Sequence, residues 1–223
     1  MEERYIRNIP AVSEEEMNLL KKSRVLVLGC GGLGGYVIEY LVRIGVGALT
    51  CVDGDVFCES NLNRQLLSSV ENLGKSKAMA AKERAAEINP EVTVDSVPEY
   101  ITEENADALM QGADLVIDAL DNVEARFIME DAAQRAGIPV IHGAIEGWSA
   151  QCMIVPPGSG LLHSLYVDKN GEFSKTSLPM TAAFCAAMEC ALAVKVLCKR
   201  DTEAGKLFVS SLDSMYLDEI PLT

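Results

Sequence analysis

A glycine-rich turn between an apolar run and an amphipathic stretch is the feature that most restricts how this chain can fold. The run spans residues 24–28, the turn is Gly29-Cys-Gly-Gly-Leu-Gly34, and a helical pattern continues to Ile44. The turn fits G-x-G-x-x-G between a strand and a helix, which is the context that this pattern requires. Its backbone can approach a phosphate closely, and the N–H groups at the start of the helix can bind one. The candidate phosphate-binding residues are Gly29, Gly31, Gly32 and Gly34.

Strand and helix patterns alternate over the first two thirds of the chain. Strands are expected at residues 24–28, 48–52, 92–97, 113–119 and 139–141, and helices at 34–44, 77–88, 103–110 and 124–136. This alternation predicts an α/β fold with a doubly wound, mostly parallel Rossmann-like sheet covered on both faces. The pattern changes after Gly147. An antiparallel C-terminal extension is expected there, with a strand at 151–155, a long loop at 156–180, a helix at 182–199 capped by Thr181, and strands at 206–212 and 215–220.

Length and charge set limits on the class of protein. The chain has 223 residues, 49% of them apolar, which suits one globular domain. With 19 basic and 33 acidic residues the formal net charge is −14, and such a charge argues against general binding to nucleic acid.

Cysteine usage indicates a reducing compartment. The seven cysteines are odd in number and show no C-x-x-C spacing, which argues against both a disulfide framework and a structural zinc site. The first residues lack an apolar signal core, and the apolar stretch at 182–198 carries Glu189 and Lys195 and falls short of a membrane span. We therefore expect a cytoplasmic protein without a membrane partner.

An acidic residue at the end of the second predicted strand extends the nucleotide prediction. Asp53 lies 19 residues after Gly34, where a carboxylate can accept hydrogen bonds from ribose hydroxyls. Up to this point the pattern is compatible with hydride transfer, using a dinucleotide, and with nucleotidyl transfer, using a mononucleotide.

Four further motifs decide between these classes. In chain order they are R-Y-I-R at residues 4–7, D-G-D at 53–55 followed by S-N-L-N-R-Q at 60–65, G-K-S-K at 74–77, and D-A-L-D-N at 118–122. Together with the glycine turn they resemble the adenylation domain of the ubiquitin-activating-enzyme superfamily, and most closely the ThiF/MoeB/HesA-type adenylyltransferases. The resemblance extends from Arg4 to about Leu222.

The resemblance implies a role for each matching residue. The glycine turn and Asp53 would hold the adenosine and ribose of ATP, and Arg64 and Lys77 would bind the phosphates. Asp121 would coordinate Mg²⁺, while Arg7 would reach the phosphates of the other subunit of a homodimer. Weaker candidates for nucleotide binding are Asp55, Asn61 and Gln65.

The resemblance also implies the reaction and the partner. The enzyme would adenylate the C-terminal glycine carboxylate of a small ubiquitin-like sulfur carrier ending in Gly-Gly, of the ThiS or MoaD type that serves thiamine or molybdopterin biosynthesis, and release pyrophosphate. The carrier carboxylate is already ionised near neutral pH, so no general base is nominated. The whole chain would form one adenylation domain, with an arm at 1–23, a nucleotide-binding core at 24–147 and a carrier-binding part at 148–223.

The sequence also departs from the family. It lacks the two C-x-x-C pairs that bind zinc in many relatives, and the loop at 156–179 has no cysteine. Cys185, at the predicted start of the last helix, is the remaining candidate for a reactive thiol, although a buried apolar role is favoured for it. Three alternatives stay open: a tRNA-modifying dehydratase of the same superfamily, an NAD-dependent oxidoreductase, and a non-catalytic nucleotide-binding partner.

Overall fold

One eight-stranded sheet organises the chain. The computed structural model describes residues 2–166, 176–202 and 204–222. The strands are β1 (Arg24–Leu28), β2 (Ala48–Val52), β3 (Thr93–Val97), β4 (Leu115–Asp118), β5 (Val140–Glu146), β6 (Ser149–Val155), β7 (Lys206–Ser211) and β8 (Tyr216–Pro221). Their order in the sheet is β3-β2-β1-β4-β5-β6-β7-β8, with β1 to β5 parallel and β5 to β8 paired antiparallel. The predicted fold class is confirmed.

Helices cover both faces of this sheet. They are α1 (Glu14–Leu20), α2 (Gly32–Ile44), α3 (Lys77–Ile88), α4 (Ala106–Leu109), α5 (Val123–Ala136), α6 (Leu161–Tyr166) and α7 (Pro179–Leu197), with short 3₁₀ helices at Glu3–Asn8, Glu59–Asn61 and Val70–Asn72. On one face α2 packs against α3 and α7, and on the other α5 packs against α4 and α6. Alternate residues of each buried strand face the two resulting apolar cores.

The register brings the predicted motifs to one edge of the sheet. Leu28 pairs with both Val52 and Asp118, so the carboxyl ends of β2, β1 and β4 lie side by side. Strand order reverses between β2 and β4 on either side of β1, and ligands of open α/β sheets bind at such a switch point. The glycine turn, Asp53 and the turn after β4 therefore meet where a nucleotide would be expected.

Two details of the C-terminal part differ from the predictions. The segment predicted as a loop contains α6, and its residues 167–175 lie outside the described residues. Thr181 does not cap the following helix, because α7 begins two residues earlier with Pro179 at its first position and Leu178 before it. A proline suits that first position, since its missing N–H would have no partner inside the helix.

Helix α7 also corrects the prediction about membrane spans. By length and hydropathy it is the one described helix that could cross a membrane. In the fold it packs against α2, β5 and β6, and 56% of its most apolar 18-residue stretch is buried inside the protein. Its apolar character is therefore that of a core helix.

Candidate functional site

The glycine turn has a conformation that a side chain on Gly29 or Gly34 would prevent. Gly29 has a φ of +99°, and a Cβ placed on it would lie 2.5 Å from the carbonyl oxygen of Ala119. A Cβ on Gly34 would lie 1.8 Å from the carbonyl oxygen of Gly29. These two glycines let the turn fold back tightly, so that α2 begins at Gly32 with its N-terminal N–H groups at the edge of the sheet.

Arg64 and Gln65 lie over this turn. The Cγ and Nε atoms of Arg64 would be 3.8 Å from a Cβ on Gly32, and the Nε2 atom of Gln65 would be 3.4 Å from one on Gly31. Nη1 of Arg64 donates to two neutral acceptors, the Ser60 carbonyl at 3.0 Å and the Asn63 side-chain oxygen at 2.9 Å, so its charge is not cancelled by them. The Oε1 atom of Gln65 is buried and has no hydrogen-bond partner among the described residues. Arg64 and Gln65 together form a cradle above the turn. It carries one positive charge and one amide oxygen that lacks a hydrogen-bond partner among the described residues.

Asn61 shapes the segment that presents these two side chains. Its Oδ1 accepts from the backbone N–H of Cys58 at 3.1 Å. Its carbonyl oxygen accepts from the backbone N–H groups of Arg64 and Gln65 at 3.1 and 2.9 Å. Asn61 is buried, and these bonds indicate that it orients the cradle through the backbone.

Asp53 joins the end of β2 to the glycine turn. Its Oδ2 accepts from the backbone N–H of Cys30 at 2.7 Å, and its Oδ1 accepts from that of Asp55 at 2.8 Å. Burial raises the pKa of Asp53, although both hydrogen bonds oppose this shift. The carboxylate therefore has a fixed orientation at the position where a ribose would bind.

Lys77 carries a buried positive charge beside this position. It is the first residue of α3, and its Nζ lies 2.9 Å from Oδ2 of Asp55, whose Oδ1 accepts a hydrogen bond from the Tyr100 hydroxyl. The bond from Tyr100, followed by the contact with Lys77, lowers the pKa of Asp55. Asp55 is thus the counter-ion of Lys77, and a phosphate at this ammonium group would share it with that carboxylate. The sequence did not signal Tyr100, whose ring packs against Gly54.

Asp121 is exposed in the turn that connects β4 to α5. The next residue, Asn122, caps α5 by accepting from the backbone N–H of Ala125 at 2.8 Å. The hydrogen bond to Asp55 is the main cause that raises the pKa of Tyr100, and the charge of Asp121 adds a smaller effect after burial and the charge of Asp53.

The N-terminal arm leads away from the glycine turn. Tyr5 is buried, and its hydroxyl accepts from Nδ2 of Asn89 at 2.7 Å. Its ring lies against Gly45, at the end of α2 opposite the glycine turn. Thirteen residues of helix separate the two ends by about 20 Å. Arg7 is exposed on this arm, so the structure does not place it with Arg64 and Lys77 of the same chain.

A buried polar network beneath the turn after β4 was not predicted. Nδ1 of His142 lies 2.6 Å from Oδ2 of Asp118, and Nε of Arg126 lies 3.2 Å from the same oxygen. Burial lowers the pKa of His142, while the charge of Arg126 helps to keep the pKa of Asp118 low against the opposing effect of burial. Asp118 therefore stays ionised and His142 neutral. The only sequence signal was a polar residue at the end of a buried strand.

Cys185 lies near a second buried polar group, Glu189. Cys185 is the seventh residue of α7 rather than its first, and burial raises the pKa of its thiol well above the usual range. This shift disfavours a reactive thiolate, and the buried apolar role fits Cys185 better. Neither carboxyl oxygen of Glu189 has a hydrogen-bond partner among the described residues, and its carboxyl group lies against Gly143.

The Glu189→Gln variant is expected to be more stable than the wild type at pH 8. Burial, reinforced by the charge of Asp118 and opposed by that of Arg126, raises the pKa of Glu189 well above 4.5. The folded protein therefore keeps a proton that the unfolded chain loses above about pH 4.5, so the stability of the wild type declines as the pH rises from there towards the folded pKa. Gln pays no such cost, so its Tm should rise by about 2–4 °C per kcal/mol gained. Thermal melts at pH 8 and pH 5 should show a gain that shrinks at the lower pH; an equal gain at both would contradict this explanation.

Comparison with known proteins agrees with the fold and with the motifs. The ThiF family model matches residues 3–222. The chain is 34% identical over 217 residues to the SAMP-activating enzyme E1 of Haloferax volcanii, covering 96% of this chain and 78% of the relative. It is 40% identical over 154 residues to the sulfur carrier protein adenylyltransferase of Thermus thermophilus, covering 68% of this chain and 57% of that protein.

Solved structures show the same architecture. PaaA superposes with a TM-score of 0.80 at 25% identity, covering 93% of this chain and 66% of that chain. The ATP complex of MccB from E. coli superposes with a TM-score of 0.83 at 21% identity, covering 100% of this chain and 71% of that one, which is evidence for the fold alone.

The fold, the glycine turn and the relatives define an enzyme of the nucleotidyltransferase class. The chain belongs to the ThiF family, as the motifs predicted. These findings give no support to an NAD-dependent oxidoreductase.

Proposed function

We propose that this enzyme uses ATP and Mg²⁺ to adenylate the C-terminal glycine carboxylate of a small ubiquitin-like sulfur carrier protein and releases pyrophosphate. The observation that carries the proposal is the position of the Arg64 side chain across Gly32, at the start of α2. A guanidinium group and a helix N-terminus there face the same space, and both attract phosphate. The names of the archaeal and Thermus relatives support a carrier protein as the substrate.

Arg64 and Lys77 can offset the charge repulsion that is the main barrier of this reaction. A carboxylate oxygen attacks the α-phosphorus, the bond from that phosphorus to the β-phosphate bridging oxygen breaks, and pyrophosphate leaves with the electron pair. Both reactants are anions, and the protein itself carries a formal net charge of −14. Arg64 can hold phosphate oxygens through its planar fork, while Lys77 acts as a point charge on the leaving group. The amide oxygen of Gln65, which lacks a hydrogen-bond partner among the described residues, can accept from a ribose hydroxyl or a water molecule.

The residues present fit a magnesium ion. Asp121 offers an exposed carboxylate at the edge of the sheet, and Mg²⁺ favours one or two carboxylates together with phosphate oxygens and water. Within the described ranges no group of three or more His, Cys, Asp or Glu side chains could hold a metal alone. When bound, the ion would neutralise charge on the phosphates.

Different parts of the chain are assigned to different partners. We assign residues 24–147 to nucleotide binding and residues 148–223 to the carrier, with the arm at 1–23 serving a second subunit. The carrier carboxylate is ionised at neutral pH, so the chain has no proton to remove. Its seven cysteines are free, which suits the reducing cytoplasm as the place of action.

Two measurements test the proposal. ATP with Mg²⁺ should raise the Tm of the protein, whereas NAD should not, because a ligand stabilises only the state that binds it. ATP–pyrophosphate exchange should then depend on a carrier that ends in Gly-Gly, and a carrier lacking the last glycine is the matched control. Exchange supported by tRNA instead would favour the dehydratase alternative, and exchange with neither would contradict carrier adenylation.

Mixed dimers test the role of Arg7. Because Arg7 lies on an arm anchored at the far end of α2, it can serve a second protomer of a homodimer, as the family resemblance implies. Arg7→Ala and Arg64→Ala should each abolish exchange, whereas mixing them should restore up to about a quarter of the wild-type rate, since half of the random dimers are mixed and each has one intact site. Absence of rescue in dimers shown to be mixed would argue against action in trans.

A further inference from the structure

Helix α6 is bonded at both ends to the body of the protein. At its start, the backbone N–H groups of Leu162 and His163 each donate to the Glu130 carboxylate at 2.9 Å. At its end, the hydroxyl of Tyr166 accepts from Nε2 of Gln151 at 2.9 Å. A helix of six residues has little stability of its own, so these contacts fix its position.

Tyr166 enters the buried network described above. Its hydroxyl lies 3.1 Å from Nε2 of His142. Because neutral His142 donates a hydrogen bond from its Nδ1–H to Asp118, its Nε2 is left as an acceptor for the Tyr166 hydroxyl. Burial raises the pKa of Tyr166 to about 12, so this hydroxyl keeps its proton at neutral pH.

The ring of Tyr166 supports Arg126, and Arg126 closes the turn after β4. The guanidinium carbon of Arg126 lies 5.1 Å from the centre of the ring. Nη2 of the same guanidinium donates to the Leu120 carbonyl at 2.6 Å, while Nε faces Asp118 at 3.2 Å. Asp118 also accepts from the backbone N–H of Leu120 at 3.1 Å. The residue before Asp121 is therefore held on both its N–H and its carbonyl.

We propose that Tyr166 is a positioning residue for Asp121, and that it acts through Arg126 and Leu120. This inference rests on the proposed function, in which Asp121 holds Mg²⁺. The Arg126 side chain is only 7% exposed, and its orientation depends on groups that surround it, including the ring. Removing the ring would leave one face of the guanidinium without packing and would loosen its bond to Leu120, so the backbone that carries Asp121 would be held less firmly.

The contacts from Tyr166 to Arg126 and from Arg126 to Leu120 link the proposed metal site to the part of the chain that we assign to the carrier. Tyr166 is the last described residue before 167–175, in the segment to which we assign carrier contact. A displacement of α6 would reach the turn that carries Asp121 through the side chains of Tyr166 and Arg126, so this helix is coupled to the proposed metal ligand.

Magnesium-dependent nucleotide binding tests this inference without a carrier. ATP affinity is measured by calorimetry over a series of Mg²⁺ concentrations and again in EDTA. Tyr166→Leu should raise the Mg²⁺ concentration for half-maximal effect by about tenfold, the loss typical when a group behind a metal ligand is removed. Its ATP affinity in EDTA should equal that of the wild type. Tyr166→Phe keeps the ring and should stay within about twofold of the wild type, as should His163→Ala on the same helix.

The outcomes separate this inference from the proposed function. Wild-type magnesium dependence in Tyr166→Leu would overturn the positioning role, and so would an equal loss of ATP affinity in EDTA, which indicates general damage. Should Tyr166→Leu not fold, Arg126→Lys keeps the charge beside Asp118 but lacks the fork that also reaches Leu120, and the same tenfold shift is expected. A wild-type protein without magnesium-dependent ATP binding would overturn the proposed function and this inference with it.

Discussion

Lys77→Ala is expected to lower carrier-dependent ATP–pyrophosphate exchange by about 10²–10³-fold, the loss typical of removing one group that stabilises charge in the transition state. The effect should be at the upper end of that range because two changes act in the same direction. The ammonium group that we assign to the phosphates is lost, and Asp55, which lies 2.9 Å from it, becomes an unpaired negative charge in the site. The turnover number and the KM for ATP, measured by initial exchange rates, give the size of the effect.

Lys75→Ala is the matched control for this variant. Lys75 lies two residues earlier and is exposed, whereas Lys77 is buried. Exchange by the Lys75 variant should stay within about twofold of the wild type, since exposed charges contribute little. Near-wild-type exchange by Lys77→Ala would contradict a role of this lysine in binding the phosphates.

Local patterns predicted most of the fold correctly. The strands at 24–28 and 48–52 and the helix at 77–88 were placed with the same bounds in sequence and structure. Each is marked by residues near in sequence: an apolar run that ends at glycine or aspartate, or an alanine-rich stretch that ends before proline. The helix α6 was missed because its six residues are held by contacts with Glu130 and Gln151, and such contacts leave no periodic signal.

The candidate site was predictable only in outline. The order of motifs named Arg64, Lys77 and Asp121, and the register of β1, β2 and β4 explains why these motifs can share one edge of the sheet. The hydrogen-bond partners of Asp55 and Asp118 were not predictable. Tyr100 lies 45 positions from Asp55, and His142 lies 24 positions from Asp118, so their pairing depends on strand order.

The cationic groups of the site work against the field of the whole molecule. A formal net charge of −14 repels ATP at a distance, which makes binding depend on groups close to the phosphates. Asp55 opposes Lys77 within the site, and the Tyr100 hydroxyl helps to keep that carboxylate ionised. The ion pair with Asp55 fixes the buried Lys77 side chain in place, because an ammonium buried without a partner would be costly.

Gly34→Ala is expected to destabilise the protein by at least about 3 kcal/mol, at the upper end of the cost of overpacking a buried position. The added methyl carbon would lie 1.8 Å from the carbonyl oxygen of Gly29 and 2.7 Å from its carbonyl carbon. That carbonyl belongs to the turn that carries the Gly29 φ of +99°, so it cannot move without shifting α2 away from β1. Urea unfolding of both proteins measures the loss, and a Gly34→Ala protein that does not fold would agree with it.

Gly35→Ala separates this steric effect from the general cost of changing a glycine in α2. At the neighbouring position the methyl carbon would lie 3.3 Å from Cγ of Leu67, a side chain that can shift by a few tenths of an ångström. Alanine also favours the helix over glycine by about 1 kcal/mol, which offsets such an adjustment. The Gly35 variant should therefore be within about 1 kcal/mol of the wild type. Equal losses at both positions would mean that the turn tolerates no change in helix packing, rather than that Gly34 alone is required for the close contact with Gly29.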